Sequence, residues 1–196
     1  MRLTLFYILC LFIVLCADLT TSYAGDQPPS WSSEEVHRGR ISYRGLIGGE
    51  YLLFYADNTW TGGHHYEEPG VYVLTEMIRK GDTIEDWKEL LTIQNFTKSW
   101  GERKVKDTFE SLKAIREKNC PDKTEWNVIS QDRKSILYEW RAKPCAGFPD
   151  QHEIARIIYG KNNRFSFRYT VKATDMTHEQ RKYALDILKS AEIVRR

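Results

Sequence analysis

The sequence predicts an α/β (α+β) sandwich, a central and mainly antiparallel sheet of about six strands flanked by helices and closed by a C-terminal helix. Three observations carry this. Phe165, Phe167, Tyr169 and Val171 alternate strictly with Ser166, Arg168 and Thr170, the period of a strand with one face turned inward. Tight turns at Asp132-Arg133 and Gly160-Lys161-Asn162-Asn163 separate successive strand patterns, and such short connections join antiparallel rather than parallel strands. Thr177 and Gln180 form a capping box ahead of Tyr183, Ala184, Ile187, Leu188 and Ala191, which fall on one helical stripe.

The elements follow in order. Met1-Arg2 and the unbroken apolar run Leu5–Ala17 read as a secretory signal, with small residues at Ser22 and Ala24 placing cleavage after Ala24. At 13 residues the run is too short to cross a bilayer of about 30 Å; an uncleaved anchor is the alternative. The expected organisation is therefore a signal peptide at 1–24, a polar mobile leader at 25–39 and one domain at 40–196. Strand-like patterns begin near Ile41, continue at Glu50–Tyr55, break at Gly62-Gly63, and resume at Val71–Ile78 with Val73 and Met77 on one face. Two helices are expected next. One starts at the Thr83/Asp86 capping box, with Ile84, Trp87 and Leu91 on its inner face. The other starts at Ser99/Glu102, with Val105, Phe109 and Leu112 inward, and ends before Cys120-Pro121. Four strands follow, at Glu125–Gln131, Ser135–Ala142, His152–Tyr159 and Arg164–Val171, then the final helix.

Composition excludes several classes. The chain has 196 residues, 41% hydrophobic and 13% aromatic, with a net charge of +2. That is too aromatic and too nearly neutral for a disordered tail, and too weakly charged for an electrostatic nucleic-acid binder. Signal removal would take Cys10 and Cys16 with it, leaving Cys120 and Cys145. An even count in an exported chain reads as a disulfide, whereas a thiolate metal site lacks a second Cys/His pair at zinc spacing. Asn95-Phe96-Thr97 is a glycosylation sequon, relevant only in a eukaryotic secretory route.

No motif announces catalysis: Gly-x-Ser-x-Gly, a phosphate-binding Gly-Lys-Ser/Thr loop and His-Glu-x-x-His are all absent from the sequence. His64, His65 and Glu67 form the best metal-ligating group, with Asp57 and Glu68 nearby. Adjacent histidines on an extended chain point to opposite sides, so a plain polar loop tip competes with that reading. His152-Glu153 has the residue types of an acid–base pair, but neighbours on a strand face apart. Glu139 and Arg141 share a strand face, and with Arg156 and Arg168 suggest either a buried charged network with an anion pocket or a solvated ladder. Trp126 and Trp140 read as core. Trp31, Trp60 and Trp100 fall in leader or loops, and Trp60 with Tyr55, Tyr66 and Tyr72 forms a candidate partner surface. The alternative is that these aromatics fold back as caps on the core.

The order of elements across residues 40–194 resembles the Mog1/PsbP-like α/β sandwich. Locally, Gly81-Asp-Thr-Ile-Glu-Asp-Trp-Lys-Glu-Leu-Leu-Thr-Ile-Gln94, Tyr138-Glu-Trp140, Cys145 and Gln151-His-Glu-Ile154 resemble stretches of uncharacterised exported bacterial proteins. The resemblance implies a binding or assembly role and transfers no site residue, because fold does not fix function. The expectation is thus a non-enzymatic periplasmic or secreted protein, a monomer without cofactor. It would contact a protein or envelope component through Trp60, Tyr66, Tyr55 and Tyr72, and would bind neither nucleic acid nor, once cleaved, the membrane by a span. The alternative is a small-molecule or metal-ion binder, or weak hydrolase, using His64, His65 and Glu67.

Overall fold

The computed structural model describes residues 39–45, 48–97 and 104–195. The expected signal, the leader as far as residue 38, Trp31, Trp100 and the Ser99/Glu102 cap lie outside them. The strands are β1 Arg40–Arg44, β2 Glu50–Tyr55, β3 Trp60–Glu68, β4 Tyr72–Arg79, β5 Glu89–Thr97, β6 Thr124–Gln131, β7 Ser135–Ala142, β8 Gln151–Tyr159, β9 Asn163–Val171 and β10 Glu192–Arg195. The helices are α1, Val105–Asn119, and α2, His178–Ser190. Among the described residues no helix is long and apolar enough to cross a membrane.

Seven strands form one antiparallel sheet in the order β3-β4-β5-β9-β8-β7-β6, and β1-β2-β10 form a second, smaller one. The sheet therefore has seven strands rather than about six. The segment 50–55 that the sequence offers as part of it belongs to the second sheet, with β10 added after the last helix.

The helix expected from Thr83 is the largest error in the sequence reading. The Asp86 N–H does donate to Thr83 Oγ1 at 3.2 Å, as a cap would. The chain then extends into β5 instead of coiling. β5 lies between β4 and β9 and is buried on both faces, so its apolar residues do not alternate. Without alternation, Ile84, Trp87 and Leu91 match a helical spacing by coincidence. Gly62-Gly63 likewise does not end a strand. β3 runs through the pair with a bulge between Gly62 and His64. There the backbone approaches β4 so closely that a Cβ on Gly63 would come 3.2 Å from the Glu76 carbonyl oxygen.

The two faces of the large sheet differ. On one, Leu91, Ile93, Phe165, Phe167 and Tyr169 meet Leu52 and Phe54 of the small sheet and Ala184, Ile187 and Leu188 of α2. Phe54 and Phe167 rings lie 4.5 Å apart. On the other, α1 buries Val105 and Phe109 against Ile136, Tyr138, Trp140, Ala155 and Ile157. α1 thus covers the β7-β8 side of that face and leaves the β9-β5-β4 side to other groups.

Cys120, at the end of α1, is bonded to Cys145 in the loop after β7. With a sequence separation of 25 the closed loop contributes about 3.5 kcal/mol through the unfolded chain. Replacing both cysteines by serine should lower the unfolding free energy in urea by about that much; a loss below about 1 kcal/mol would contradict the loop-closure account. The bond also fixes where the helix end sits above the sheet, which matters for the site below. Asn95 is fully buried in β5, so the sequon there is closed to modification in the folded chain.

Candidate functional site

The α1-facing side of the sheet is polar where the helix does not cover it. Strand register puts His64, Glu76, Thr92 and Arg168 in one row across β3, β4, β5 and β9, and Tyr66, Leu74, Gln94 and Ser166 in the next. Thr92, Gln94, Ser166 and Thr170 are buried there. This follows from the alternation of β9: its aromatic positions are taken by the core face, so Arg164, Ser166, Arg168 and Thr170 must face the other way. A cleft of about 100 Å³ opens between this floor and α1. Gln94, Ser166, Arg168, Glu153, Tyr138 and Trp140 line its base, Trp126 its side, and Leu112, Ile115, Arg116 and Asn119 its roof.

The cleft is rich in donors. Glu153, 4% exposed, accepts from Trp140 Nε1 at 2.7 Å and from Thr170 Oγ1 at 2.9 Å. The Arg116 guanidinium lies 5.0 Å from the Trp140 ring centre and 6.0 Å from that of Phe148. Burial pulls its pKa below the ordinary arginine value, Glu153 counteracts this, and the Arg168 charge adds to it. Arg168 Nε and Trp126 Nε1 are buried without a hydrogen-bond partner. Beyond the cleft, burial raises the Glu76 carboxyl, against the pull of Arg168 and His64.

An aromatic stripe continues from the cleft toward the β3 edge. Tyr66 and Tyr72 rings are 6.2 Å apart, Tyr72 and Phe96 are 4.7 Å apart, and the Arg164 guanidinium lies 4.5 Å from the Phe96 ring centre. Gln94 Nε2 donates to Tyr72 Oη at 3.0 Å and ties the stripe to the cleft floor. A second concavity among the described residues, about 360 Å³, is a shallow dish near Tyr55, Tyr183 and Ile187. Its two carboxylates are already paired, Asp57 with Arg79 and Asp186 with Lys182. The smaller cleft is where unpaired donors gather.

The residues singled out by sequence fall as follows. Trp60 is not on the surface. It is 6% exposed, donates from Nε1 to Tyr183 Oη at 2.8 Å, and has the Arg79 guanidinium 4.0 Å from its ring centre. α2 supplies the cover that a loop position would have lacked. Tyr66 and Tyr72 do come together, while Tyr55, 51% exposed, sits on the other sheet. His64 and His65 lie on opposite faces: His64 pairs across from Glu76, and His65 Nδ1 is 3.0 Å from Thr75 Oγ1, on the side of Glu67. Among the described residues no three His, Cys, Asp or Glu side chains converge as a metal set.

His152 and Glu153 face apart as strand neighbours do, so they form no acid–base pair. His152 is 1% exposed; its Nε2 is 2.8 Å from Glu139 Oε1, and its Nδ1 accepts the Met176 N–H at 2.8 Å. Both ring nitrogens are occupied in the neutral tautomer, and burial holds the pKa below the usual value despite Glu139. Of the charged network, Arg168 lies on the opposite face from Glu139 and Arg156. Arg156 instead caps α2, donating to the Leu188 and Ala191 carbonyls at 2.9 and 2.8 Å. No local pattern in the sequence joins Arg116, Trp126 and Glu153 into one site. Only the polar half of the β9 alternation pointed toward it.

No protein-family model matches this chain, and no curated protein matches it. Among solved structures it is similar to the solution structure of cyanobacterial PsbP (CyanoP) from Synechocystis sp. PCC 6803. Identity is 13% and the TM-score 0.47, over 88% of this chain and 100% of that one. A crystal structure from Bacteroides thetaiotaomicron VPI-5482 is similar over 76% of this chain and 48% of the other, at 11% identity and a TM-score of 0.38. These likenesses assign a role to no residue.

Proposed function

We propose that this is an exported, non-enzymatic binding domain that takes an acidic segment of a partner protein on the sheet face beside α1. The observation that carries the reading is the Tyr66–Tyr72–Phe96 stripe with Arg164 stacked at its end, continuous with a cleft holding two further arginines. Aromatic rings with an adjacent guanidinium suit an extended acidic peptide: rings give contact area at low entropy cost, and the cation gives sign selectivity. The histidine candidates lend no support to the alternative reading, since His64 and His65 face opposite ways and both ring nitrogens of His152 are engaged. Export rests on the signal-like N-terminus and is supported by the Cys120–Cys145 bond.

A hexaglutamate peptide should quench or shift the protein's fluorescence saturably, more weakly as salt rises, while hexalysine should not. Tyr66→Ala and Arg164→Gln should each weaken that binding several-fold, to about tenfold, with Tyr55→Ala as the unaffected control. Equal binding in all three variants, or binding only to anionic lipid vesicles, would remove this reading. N-terminal sequencing of exported material should begin at Gly25.

A further inference from the structure

Two guanidinium groups line the α1 cleft, and among the described residues neither has a carboxylate within 4.0 Å or a hydrogen-bond acceptor. Such donors are costly to leave unmet in a partly dry site, and arginine's fork matches a two-oxygen acceptor. The one carboxylate in the cleft does not fill this need. Glu153 is held by Trp140 and Thr170, and acts on Arg116 through its charge rather than by contact. Glu76, in the same row as Arg168, does not reach it within ion-pair distance either. Two like charges are therefore kept close together with an acidic background but no direct partner.

We propose that Arg116 and Arg168 clamp one small oxyanion, a carboxylate or phosphate-class group, which enters beneath α1 and takes Trp126 Nε1 as a further donor. The proposal rests on reading this face as a binding surface and names the group that its deepest part accepts. Size agrees: about 100 Å³ is well below the usual 300–1,000 Å³ of a pocket for a whole drug-sized ligand. It suits a head group or one acidic side chain. Preorganisation agrees as well. Arg116 is held between Trp140 and Phe148, and the Cys120–Cys145 bond anchors the helix turn that carries it. A cation would meet two guanidinium groups and a carboxylate whose hydrogen bonds are already made.

Trp126 stacks on Trp140 with ring centres 5.5 Å apart, so tryptophan emission reports on the cleft. Sodium acetate and inorganic phosphate, each titrated at constant ionic strength with sodium chloride, are the probes. At least one should change the emission saturably, and which of the two is tighter tells a carboxylate from a phosphate source. Arg168→Gln should weaken this by about tenfold or more, and Arg116→Lys, which keeps charge but loses the fork, by less. Arg133→Gln, an exposed cation in the turn between β6 and β7, should leave it unchanged. Asn119→Asp, which puts a carboxylate at the cleft rim without emptying any buried position, should compete with the probes even if Arg168→Gln fails to fold. No saturable change with either anion, or equal affinity in Arg168→Gln, Asn119→Asp and the parent chain, overturns the proposal. If hexaglutamate still binds while both small anions fail, the clamp is wrong and the stripe reading stands.

Discussion

Glu50→Ala should cost about 3–5 kcal/mol of folding stability, because it removes the single acceptor for a cluster of buried donors. Glu50 is the first residue of β2 and is completely buried. Its carboxylate accepts the backbone N–H groups of Lys161, Asn162 and Asn163 at 2.5, 3.0 and 2.9 Å, and the Asn163 side-chain amide at 3.0 Å. Arg195 of β10 adds an ion pair at 3.2 Å. Burial alone would raise its pKa; the hydrogen bonds from Asn163, Asn162 and Lys161 outweigh that and hold the carboxyl below the ordinary range. The contribution is therefore present above about pH 4.5 and is lost as pH falls further. The β8–β9 turn wraps this carboxylate so tightly that a Cβ on Gly160 would meet Glu50 Oε2 at 2.5 Å. Gly160→Ala should thus weaken the same joint from the other side. Urea unfolding gives the size, and hydrogen exchange at β2 and β10 gives the place, since this contact ties the small sheet to the large one. A loss within about 1 kcal/mol of zero, with exchange unchanged at β2, would show that the joint is not held by this group.

Nothing in the local sequence marks Glu50 as buried. It stands before Tyr51-Leu-Leu-Phe-Tyr55 like a polar strand start, and its partners lie more than a hundred residues away. The parts of the fold that were legible are those whose reasons are local. The alternation of β7 and β9, the Thr177/Gln180 cap and the stripe of α2 each depend on residues a few positions apart. β5 was illegible because its neighbours on both sides hide its period, and β10 because four residues carry no period at all. The register that separates Arg168 from Glu139 and Arg156 is likewise long-range. Without knowing which strands adjoin, a list of charged positions cannot say which face they share.

The same distinction explains the candidate site. Tyr66 and Tyr72 stand in the sequence as candidate surface aromatics, and a hairpin contact between consecutive strands suffices to bring them together. The cleft needs residues from α1, β5, β6, β7, β8 and β9, and its signal in the sequence is merely that Ser166 and Arg168 are not apolar. Trp60 misled in the opposite direction. A tryptophan between Thr59 and Thr61 looks exposed until α2, more than a hundred residues later, brings Tyr183 over it.

The acid side of the stability profile should be set in large part by Glu139. Its side chain, 8% exposed, takes a two-pronged ion pair from Arg181, with Nε to Oε1 at 3.0 Å and Nη2 to Oε2 at 2.9 Å, and shares Oε1 with His152. Arg181 foremost, and His152 after it, bring the Glu139 pKa down to about 2 from the usual 4.5, against the opposing effect of burial. A carboxyl depressed in the folded state stabilises fully above its unfolded pKa and loses that contribution as pH falls through the folded one. Glu139 should therefore contribute about 3 kcal/mol at neutral pH, lost between about pH 5 and pH 2. His152 acts in the same direction at a higher pH. Its depressed pKa keeps it neutral when folded, so the unfolded chain gains a proton first as pH falls below about 6.5. Glu139→Gln should then unfold about 3–5 kcal/mol more easily at pH 7, and the gap to the parent chain should close on acidification. Arg181→Ala, whose side chain is 40% exposed, should cost less and be strongly non-additive with Glu139→Gln. Stability curves that stay parallel from pH 5 to pH 2 would place the acid sensitivity elsewhere. Because this network lies on the α2 face, away from the α1 cleft, the substitution should leave oxyanion binding intact at neutral pH wherever the variant remains folded.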